Sequence, residues 1–542
     1  MDGNAYDYII VGAGSAGCVL ANRLSADPAI RVCLLEAGHE DKSALIQTPI
    51  GIAVLLQTKK YNWYFDTEPE PELNNRRLYW PRGKTLGGSS SINAMIYMRG
   101  DGADYDEWAA LGNDGWGWAD LLPLFKRLEN HEAGASEWHG IGGPLNVAAL
   151  RDCNPLSQVF VDAGAAVGLP VTTDFNVAIQ REGVGFYEVT QKDGKRWSAA
   201  SAFLSPIRHR PNLTVITDAL ASHIEFQAKR AHAVHFLTKG AKRTVRATKE
   251  IILSGGAVNS PQLLMLSGVG PSRELVPQNI PLVHDLPGVG ANLQDHLDST
   301  IMCRNSSKQS VGIGPALLPK GIAALFNYVT RRRGLLTSNI AESGGFAKTL
   351  PDLDRPDVQF HFLPTYLKDH GRKPVLGYGY SVHVCQLRPK SRGHIGLRSA
   401  DPKDPPRIHA NYLSHAEDSE TMVRAVRLAR SIFAAAPFQP HNGGEVAPGP
   451  GVETDEQILE FIRQNAETIY HPVGSCKMGN DRMAVVDERL RVHGVEGLRI
   501  ADASIMPTLI GGNTNAPSMV IGEKAAAMIL ADAAAIKGRS ET

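Results

Sequence analysis

Three glycines near the start of the chain, and one acid that follows them, are the first candidates for a ligand-binding role. In Gly12-Ala-Gly14-Ser-Ala-Gly17, the first glycine permits a tight turn and the second lets a backbone approach a pyrophosphate. The third allows a helix to pack closely on a strand. Glu36 follows about twenty residues later, where an acid accepts hydrogen bonds from a ribose and disfavours a 2′-phosphate. Together these residues predict a dinucleotide-binding site.

The elements around these residues support the same prediction. Tyr8–Val11 is a short apolar run typical of a strand, and a helical pattern with Val19 and Leu24 on one side follows the glycines. A second apolar run, Val32–Leu35, ends in Glu36. Strand, glycine turn, helix and strand make the first βαβ unit of a dinucleotide-binding domain. The helix N-terminus then faces the phosphates with free N–H groups and the positive end of its dipole.

A second glycine-rich stretch occupies residues 83–94. Gly87 and Gly88 are adjacent, three serines follow, and Asn93 and Ala94 lead into an apolar segment. Such a run at the start of a helix offers free N–H groups and hydroxyls that can hold phosphate oxygens or a polar ring edge. A flexible linker is the alternative interpretation of a Gly-Gly-Ser run. The apolar residues on both sides favour a second phosphate-binding cradle.

The composition is that of an ordinary globular protein, and it argues against several functional classes. Lys+Arg and Asp+Glu number 56 each in 542 residues, so charge gives no reason to expect nucleic acid as a partner. The six cysteines form no close pair and no CxxC motif, so we expect neither a disulfide framework nor a metal site. No export signal and no run of about 18 apolar residues is present. The sequence therefore predicts a cytoplasmic protein without a membrane span.

Two styles of pattern alternate along the chain. The strand–glycine–helix pattern returns after residue 250 and again near residue 500, whereas residues from about 300 to 460 show longer strands and hairpins. Tyr380–Leu387 and His394–Arg398, for example, are expected to form a hairpin. We predict an α/β fold (α+β overall) with a Rossmann-like nucleotide-binding domain and a second, antiparallel-sheet domain. The first would comprise residues 1–155, 195–300 and 465–542, and the second residues 156–194 and 301–464.

Five motifs taken together resemble the glucose–methanol–choline (GMC) oxidoreductase family. They are the N-terminal glycine motif, GKTLGGSSSINAMIYMRG at 83–100, GAVNSPQLLMLSGVG at 256–270, HPVGSCKMG at 471–479 and GGNTNAP at 511–517. The resemblance covers essentially the whole chain, and it is strongest to the alcohol and choline dehydrogenases of the family. It implies a flavoprotein that oxidises alcohols, in which the first domain binds FAD and the second binds substrate.

The matching motifs imply which residues would hold FAD. By this resemblance the N-terminal motif binds the ADP half, the second cradle lines the pyrophosphate and flavin, and two C-terminal segments contact the ribityl chain and the flavin N1–O2 edge. The residues, in that order, are Gly12, Gly14, Ser15, Ala16, Gly17 and Glu36; Gly87, Gly88, Asn93 and Ala94; Asp502 and Ala503; and Thr514 and Asn515. Ala221 falls where relatives contact the adenine through backbone. Ile92 replaces the histidine that tethers flavin in some choline-oxidising relatives, so we predict non-covalent FAD.

The resemblance also implies the catalytic residues. His471 would remove the hydroxyl proton, since a neutral imidazole titrates near the working pH, and Asn513 would orient the substrate oxygen. Taken alone, a histidine before a proline is more often structural and Asn513 could be a helix N-cap, but their motifs favour catalysis. Glu342 matches the segment from which choline-handling relatives present a carboxylate to the substrate. A structural hydrogen bond is an equal alternative for this acid.

The implied reaction is oxidation of a primary alcohol to an aldehyde by hydride transfer to flavin N5. We expect the electrons to pass to a quinone or another non-oxygen acceptor. The alternative is an alcohol oxidase on the same scaffold that produces hydrogen peroxide, and a hydroxynitrile-lyase-type enzyme is more remote. The sequence does not separate dehydrogenase from oxidase, because oxygen access depends on a few side chains of the substrate pocket.

Residues 317–336 raise the question of contact with a membrane surface. An apolar stripe can form on one side of a helix, and Lys320 with Arg331–Arg333 gives that helix a cationic end. The stripe residues are Leu317, Leu318, Ile322, Leu325, Phe326 and Val329. A core-facing helix is the first interpretation. The alternative is an interfacial helix on an anionic inner membrane face, where a lipid-soluble quinone could be reached.

Overall fold

Two seven-stranded sheets organise the part of the chain that the computed structural model describes, residues 5–177, 182–312, 314 and 317–540. For residues 317–320 and 536–540 only the main chain is described. The first sheet joins a parallel core to an antiparallel extension, and the second sheet is antiparallel throughout. This arrangement confirms the predicted fold class, a Rossmann-like domain combined with an antiparallel-sheet domain.

The parallel part of the first sheet carries the glycine turn. Ala5–Val11 pairs in parallel with Val32–Leu35 on one side and with the end of Ala241–Leu253 on the other. Since the carboxyl ends of parallel strands meet at one edge of a sheet, Gly12 and Glu36 come together there. In spatial order the main strands are Leu213–Ile216, Val32–Leu35, Ala5–Val11, Ala241–Leu253, Arg230–Thr238 and Leu220–Gln227, and Leu498–Ile500 also pairs with Ala241–Leu253.

The strand Ala241–Leu253 changes partners along its length. Its first half pairs antiparallel with Arg230–Thr238, and its last residues pair in parallel with Ala5–Val11. Burial follows the same division, because the first three residues are exposed and the last three are buried. One continuous strand of 13 residues thus connects a solvent-facing hairpin with the apolar core.

Helices pack on the first sheet and bring the two ends of the chain together. Ser15–Leu24, which follows the glycine turn, packs against Asn515–Ser540. A Cβ on Gly522 would lie 2.6 Å from the Ala16 carbonyl oxygen, so this close approach requires glycine. The helices of eight or more residues are Ser15–Leu24, Gly102–Ala110, Trp118–Leu128, Pro155–Ala166, Gly256–Leu266, Leu317–Arg331, Ala416–Ala434, Asp455–Asn465 and Asn515–Ser540.

The second sheet has one apolar face and one polar face. Phe362 packs against Phe160 of the helix Pro155–Ala166 with a ring separation of 5.0 Å, and the helix Ala416–Ala434 packs on the same sheet. Successive side chains of a strand point to opposite faces, so His361, next to Phe362, faces the other way. The strands in order are Asn442–Ala447, Leu297–Asn305, Gly379–Gln386, Val358–Leu363, Ser343–Ala347 and Gly183–Phe186, and Glu467–Thr468 pairs with Leu297–Asn305.

The prediction of a hairpin near residue 390 is wrong. Gly379–Gln386 is a central strand of the second sheet, whereas His394–Gly396 pairs with Arg407–His409 in a separate two-stranded sheet. The turn residues between 387 and 393 predicted a chain reversal but could not specify the next partner. The strand Leu297–Asn305 crosses the domain boundary expected at residue 300. We therefore propose a boundary before residue 297, and the remaining bounds also stay proposals.

The helix Leu317–Arg331 turns an apolar face to solvent, which contradicts the core-facing interpretation. Ile322, Leu325, Phe326 and Val329 are exposed by 67%, 55%, 66% and 62% respectively. Contact with the protein is made from the opposite side, where Ala324 and Tyr328 are buried. An amphipathic pattern identifies an apolar face but does not say what covers it. Among the helices of the described residues, none is both long and apolar enough to cross a bilayer.

Candidate active site

A cavity of about 510 Å³ is lined by both glycine-rich segments and by the polar face of the second sheet. Most of the residues that the sequence assigned to a site line this cavity. They are Gly12, Gly14, Ser15, Ala16, Glu36, Gly88, Asn93, Ala94, Ala221, His471, Asp502, Ala503, Asn513, Thr514 and Asn515. Gly17, Gly87 and Glu342 are not part of the lining. The binding roles assigned to all these residues stay predictions.

The geometry of the N-terminal motif gives each glycine a separate reason. Gly12 has φ +106°, and a Cβ there would lie 2.4 Å from the Ser254 carbonyl oxygen. A Cβ on Gly17 would lie 1.9 Å from the Gly12 carbonyl oxygen, so the helix can approach the strand only with glycine there. A Cβ on Gly14 would lie 3.9 Å from its nearest neighbour, the Ser254 carbonyl oxygen. Its open side belongs to the cavity, which leaves space for a ligand group against the backbone.

The two glycine-rich segments form one cradle. Gly88 has φ +53°, and a Cβ there would lie 2.7 Å from the Gly14 Cα, so the segments touch where neither has a side chain. Behind this contact the Gly87 N–H donates to the Ala13 carbonyl oxygen at 2.7 Å. The helix Ser15–Leu24 starts without a side-chain cap, so its first N–H groups can bind an anion. This cradle fits the pyrophosphate of FAD.

Glu36 lines the same cavity and keeps acceptor sites free. It is buried, and its carboxylate accepts hydrogen bonds from the Ala13 N–H at 2.9 Å and the Gly38 N–H at 2.8 Å. Burial raises the pKa of this carboxyl to about 7. A carboxylate has about four lone-pair sites, so two can still accept from ribose hydroxyls.

The C-terminal cavity residues also tie distant segments together. Asp502 accepts from the Gly256 N–H at 2.9 Å and the Ser260 hydroxyl at 2.6 Å. The Ser15 hydroxyl donates to the Asn515 side-chain oxygen at 2.7 Å. This bond joins the N-terminal glycine motif to the helix Asn515–Ser540. The Asp502 carboxylate is therefore already bonded by the protein.

His471 and Asn513 lie together in the cavity. The Asn513 Nδ2 is 3.1 Å from the His471 Nε2, and His471 is only 7% exposed. Burial is the main reason that the pKa of His471 lies well below its usual range, and His296, His361 and Arg82 lower it further. The imidazole is therefore neutral at physiological pH. Its backbone N–H donates to Asp295 at 2.7 Å, which fixes the segment that carries the ring.

Two side chains that contact this pair were not predicted from the sequence. His296 places its Nδ1 3.0 Å from the His471 Nδ1, and the Gln359 Nε2 lies 3.1 Å from the Asn513 Oδ1. These contacts join residues 175 and 154 positions apart, so no local spacing could reveal them. The available signal was strand alternation, which places Gln359 and His361 on the same face of Val358–Leu363.

Glu342 belongs to a buried hydrogen-bond cluster and not to the cavity lining. Its carboxylate accepts from the Ser157 hydroxyl at 2.7 Å and the Ser338 hydroxyl at 2.6 Å. The Asn154 N–H donates to it as well, at 2.7 Å, and the residue is 2% exposed. The pocket-acid interpretation is corrected accordingly, because these three donors make the carboxylate a structural link between segments.

A second buried polar cluster, outside the cavity, brings ligand-type groups together although the sequence predicted no metal. A carboxylate oxygen of Glu129 and ring nitrogens of His131 and His139 lie within 4.8 Å of one another. These groups already have partners: Glu129 pairs with Arg99 at 2.7 Å, and His139 lies 3.1 Å from Glu129 and 3.0 Å from Asp174. Although burial opposes a charged ring, the bonds to Asp174 and Glu129 raise the pKa of His139 to about 9. The cluster is an ion-pair network.

Comparison with known proteins places this site in a family. The family description "GMC oxidoreductase" matches residues 6–298 and 389–522. The chain is 56% identical to "Alcohol dehydrogenase [acceptor]" of Pseudomonas putida, over 97% of this chain and 96% of that protein. It is 45% identical to mitochondrial choline dehydrogenase of Mus musculus, over 97% and 89%.

A solved structure shows the same fold. Formate oxidase of Aspergillus oryzae, in a structure concerned with FAD modification, superposes with a TM-score of 0.91. The identity is 27%, and the match covers 98% of this chain and 99% of that one. Since the family descriptions match most of the chain and the glycine cradle fits a dinucleotide, the assignment rests on sequence and geometry together. The chain belongs to the GMC oxidoreductase family, whose cofactor is FAD.

Proposed function

We propose that this protein oxidises a primary alcohol to an aldehyde and passes the electrons to a quinone or another non-oxygen acceptor. The observation that carries the proposal is the neutral His471 beside Asn513, in the same cavity as the FAD cradle. The names of the dehydrogenase relatives support the choice of an alcohol as the substrate class. The same names favour a dehydrogenase over a lyase, which would need no hydride acceptor.

The reaction assigns a step to each member of the pair. An alcohol hydroxyl that replaces the direct hydrogen bond between the two side chains would accept from the Asn513 Nδ2–H and donate its proton to the His471 Nε2. Bound FAD supplies the acceptor for the hydride of the alcohol carbon. His471 would then hold the proton at Nε2 until solvent removes it. Burial around the pair keeps water from competing for the hydroxyl.

The identity of the acceptor is supported by a surface feature near the cavity. Val311 and Leu335, on either side of the helix Leu317–Arg331, both line the cavity. The exposed apolar face of that helix is bordered by Arg331 and Arg333, which are exposed as well. Such a helix suits an anionic bilayer, where an arginine without an acidic partner contributes about 1 kcal/mol; Arg333 contributes less, because it pairs with Asp152 at 3.4 Å. We therefore propose that the protein attaches reversibly to the cytoplasmic face of the inner membrane.

The catalytic proposal is tested by anaerobic mixing of the FAD-loaded protein with primary alcohols. Bleaching of the flavin by an alcohol, with release of the aldehyde, is expected. Absence of bleaching across short, long and amino alcohols would contradict alcohol oxidation and leave a lyase reaction to be examined. Reoxidation of the bleached enzyme by a soluble quinone should outpace reoxidation by oxygen. Faster reoxidation by oxygen, with hydrogen peroxide as product, would make the protein an oxidase.

Membrane attachment is tested separately by flotation. The protein should float with anionic vesicles at low salt and remain at the bottom at high salt, because salt screens the arginines. Phe326→Ser should abolish flotation, and Val446→Ser, at another exposed apolar side chain, is the matched control. Equal flotation of the two variants would contradict a role for this helix.

A further inference from the structure

The catalytic pair lies within a longer chain of hydrogen bonds that ends at a backbone carbonyl on each side. On one side the chain runs from His471 to His296 and from His296 to the Leu387 carbonyl oxygen. On the other it runs from Asn513 through Gln359 and Tyr187 to the Phe360 carbonyl oxygen. A carbonyl oxygen can only accept, so both ends impose a direction on the bonds between them.

The His296 side fixes which nitrogen of His471 carries hydrogen. His296 Nε2 lies 3.1 Å from the Leu387 carbonyl oxygen, so it must carry the hydrogen that it donates. Complete burial lowers the pKa of His296 to about 3, so this ring is neutral and its Nδ1 has a lone pair. The His471 Nδ1, at 3.0 Å, must then be the donor in the bond between the rings. In a neutral His471 this leaves Nε2 without hydrogen.

The Gln359 side imposes the same arrangement independently. The Tyr187 hydroxyl donates its one hydrogen to the Phe360 carbonyl oxygen at 2.5 Å, so towards Gln359 it can only accept. The Gln359 amide nitrogen therefore faces Tyr187, at 3.4 Å, and donates its second hydrogen to the Asn513 Oδ1 at 3.1 Å. Asn513 must then turn its Nδ2–H towards the His471 Nε2. The Asn513 Nδ2–H is a donor, so the His471 Nε2 must accept. This agrees with the Nε2 lone pair that the bond to His296 requires.

We propose that His296 and Gln359 are positioning residues that hold His471 as the neutral Nδ1–H tautomer, with an Nε2 lone pair that accepts from Asn513 in the resting enzyme and from the substrate hydroxyl during the reaction. This chain of hydrogen bonds disfavours a protonated His471 in the resting enzyme, because the Nε2–H of the imidazolium would face the fixed Nδ2–H of Asn513. Four titratable or charged groups lie around the ring: His296, His361, Arg82 and Asp295. The catalytic meaning rests on the proposed function, but the tautomer is a property of the protein that can be measured without turnover.

The tautomer is measured by long-range ¹H–¹⁵N spectra of the FAD-loaded protein labelled with [¹⁵N]histidine. His471 is assigned by the signals missing from His471→Asn. At about pH 6, where an ordinary histidine is largely protonated, its Nδ1 should show a bonded hydrogen and its Nε2 should show none. An Nε2–H tautomer or an imidazolium at that pH would overturn the proposal.

Substitutions at residue 296 separate positioning from packing. His296→Gln can still accept from the His471 Nδ1–H and donate to the Leu387 carbonyl, whereas His296→Leu fills similar space and does neither. We expect the glutamine variant to keep the Nδ1–H tautomer and a rate of flavin bleaching within about tenfold of wild type, and the leucine variant to lose on the order of 10²–10⁴-fold. His441→Leu is the matched control, since its ring bonds Ser307 away from the cavity. Equal behaviour of the leucine and glutamine variants would overturn the proposal.

Gln359→Leu provides a test that does not depend on the stability of a residue 296 variant. Without Gln359, the Asn513 amide can turn and present its oxygen to a protonated His471. The pKa of His471 in the spectra, and the acid limb of the rate of flavin bleaching, should then both move to higher pH. No movement in either readout would overturn the role of Gln359. If the predicted tautomer is found and no alcohol bleaches the flavin, the proposed function fails while this inference stands.

Discussion

The affinity for FAD should depend on pH through one carboxyl group, Glu36. In the absence of FAD, burial raises the pKa of Glu36 to about 7. Its ionised form can accept from the ribose hydroxyls while keeping the bonds from the Ala13 and Gly38 N–H groups. The protonated form has fewer acceptor sites to share between the ribose hydroxyls and these two N–H groups. FAD binding therefore favours the carboxylate and lowers the pKa of Glu36 in the complex.

The sign and size of the effect follow from this shift. Above pH 7 the carboxyl is ionised before FAD binds, so the dissociation constant should be constant. Below pH 7 a proton must be released on binding, so the dissociation constant should rise by up to about tenfold per pH unit, or about 1.4 kcal/mol per unit. Between pH 7 and pH 5 the predicted loss of affinity is at most about 100-fold.

The assay is titration of the apoprotein with FAD at fixed ionic strength, followed by the change in flavin fluorescence. Glu36→Gln keeps the shape of the side chain but does not titrate. Its dissociation constant for FAD should therefore be larger than that of wild type and independent of pH across this range. A dissociation constant for wild type that is constant from pH 7 to pH 5 would refute the reasoning. The same would follow if Glu36→Gln showed the full pH dependence of wild type, since another group would then be responsible.

Three further predictions concern the base, the cofactor linkage and stability. His471→Ala should slow flavin reduction by on the order of 10²–10⁴-fold while FAD stays bound; stopped-flow bleaching at wild-type rates would exclude this base. Because Ile92 offers no nucleophilic nitrogen in the cradle, acid precipitation should release yellow flavin into the supernatant, and colour retained in the pellet would contradict non-covalent binding. The raised pKa of His139 means that the stabilisation from its charge is complete below about pH 6.5 and lost as the pH rises towards 9. It amounts to about 3 kcal/mol at most, so melting temperatures should fall more steeply over this range for wild type than for His139→Gln.

Features encoded by short stretches of sequence could be predicted, because their geometry is local. Gly12, Gly17 and Glu36 belong to one βαβ unit, so the turn and the acid at the sheet edge follow from spacing alone. His471 and Asn513 were identified by the motifs around them. Their separation in space depends on how two segments fold together, but each motif is continuous in sequence.

Features that depend on long-range contacts could not be predicted. His296 is joined to His471 across 175 positions, and nothing near residue 296 distinguishes it from a buried structural histidine. Glu342 lies in a segment that the resemblance singled out, but the donors that bind its carboxylate come from residues 154, 157 and 338, which no local pattern connects to it. For the helix Leu317–Arg331, periodicity gave the apolar side and left open whether protein or solvent lies against it.

The divided strand Ala241–Leu253 has a consequence for engineering. Its solvent-facing half begins just after a tight turn at Lys239 and Gly240, where both residues are exposed and have φ of +49° and +80°. The other half ends beside the FAD cradle, and the turn itself follows a segment next to another part of the cavity, because Leu237 and Phe236 pair with Leu220 and Ala221 of the lining. An affinity tag or an electrode anchor inserted at this turn would therefore lie near that part of the lining, so immobilisation with an undisturbed cofactor site calls for an anchor elsewhere on the surface.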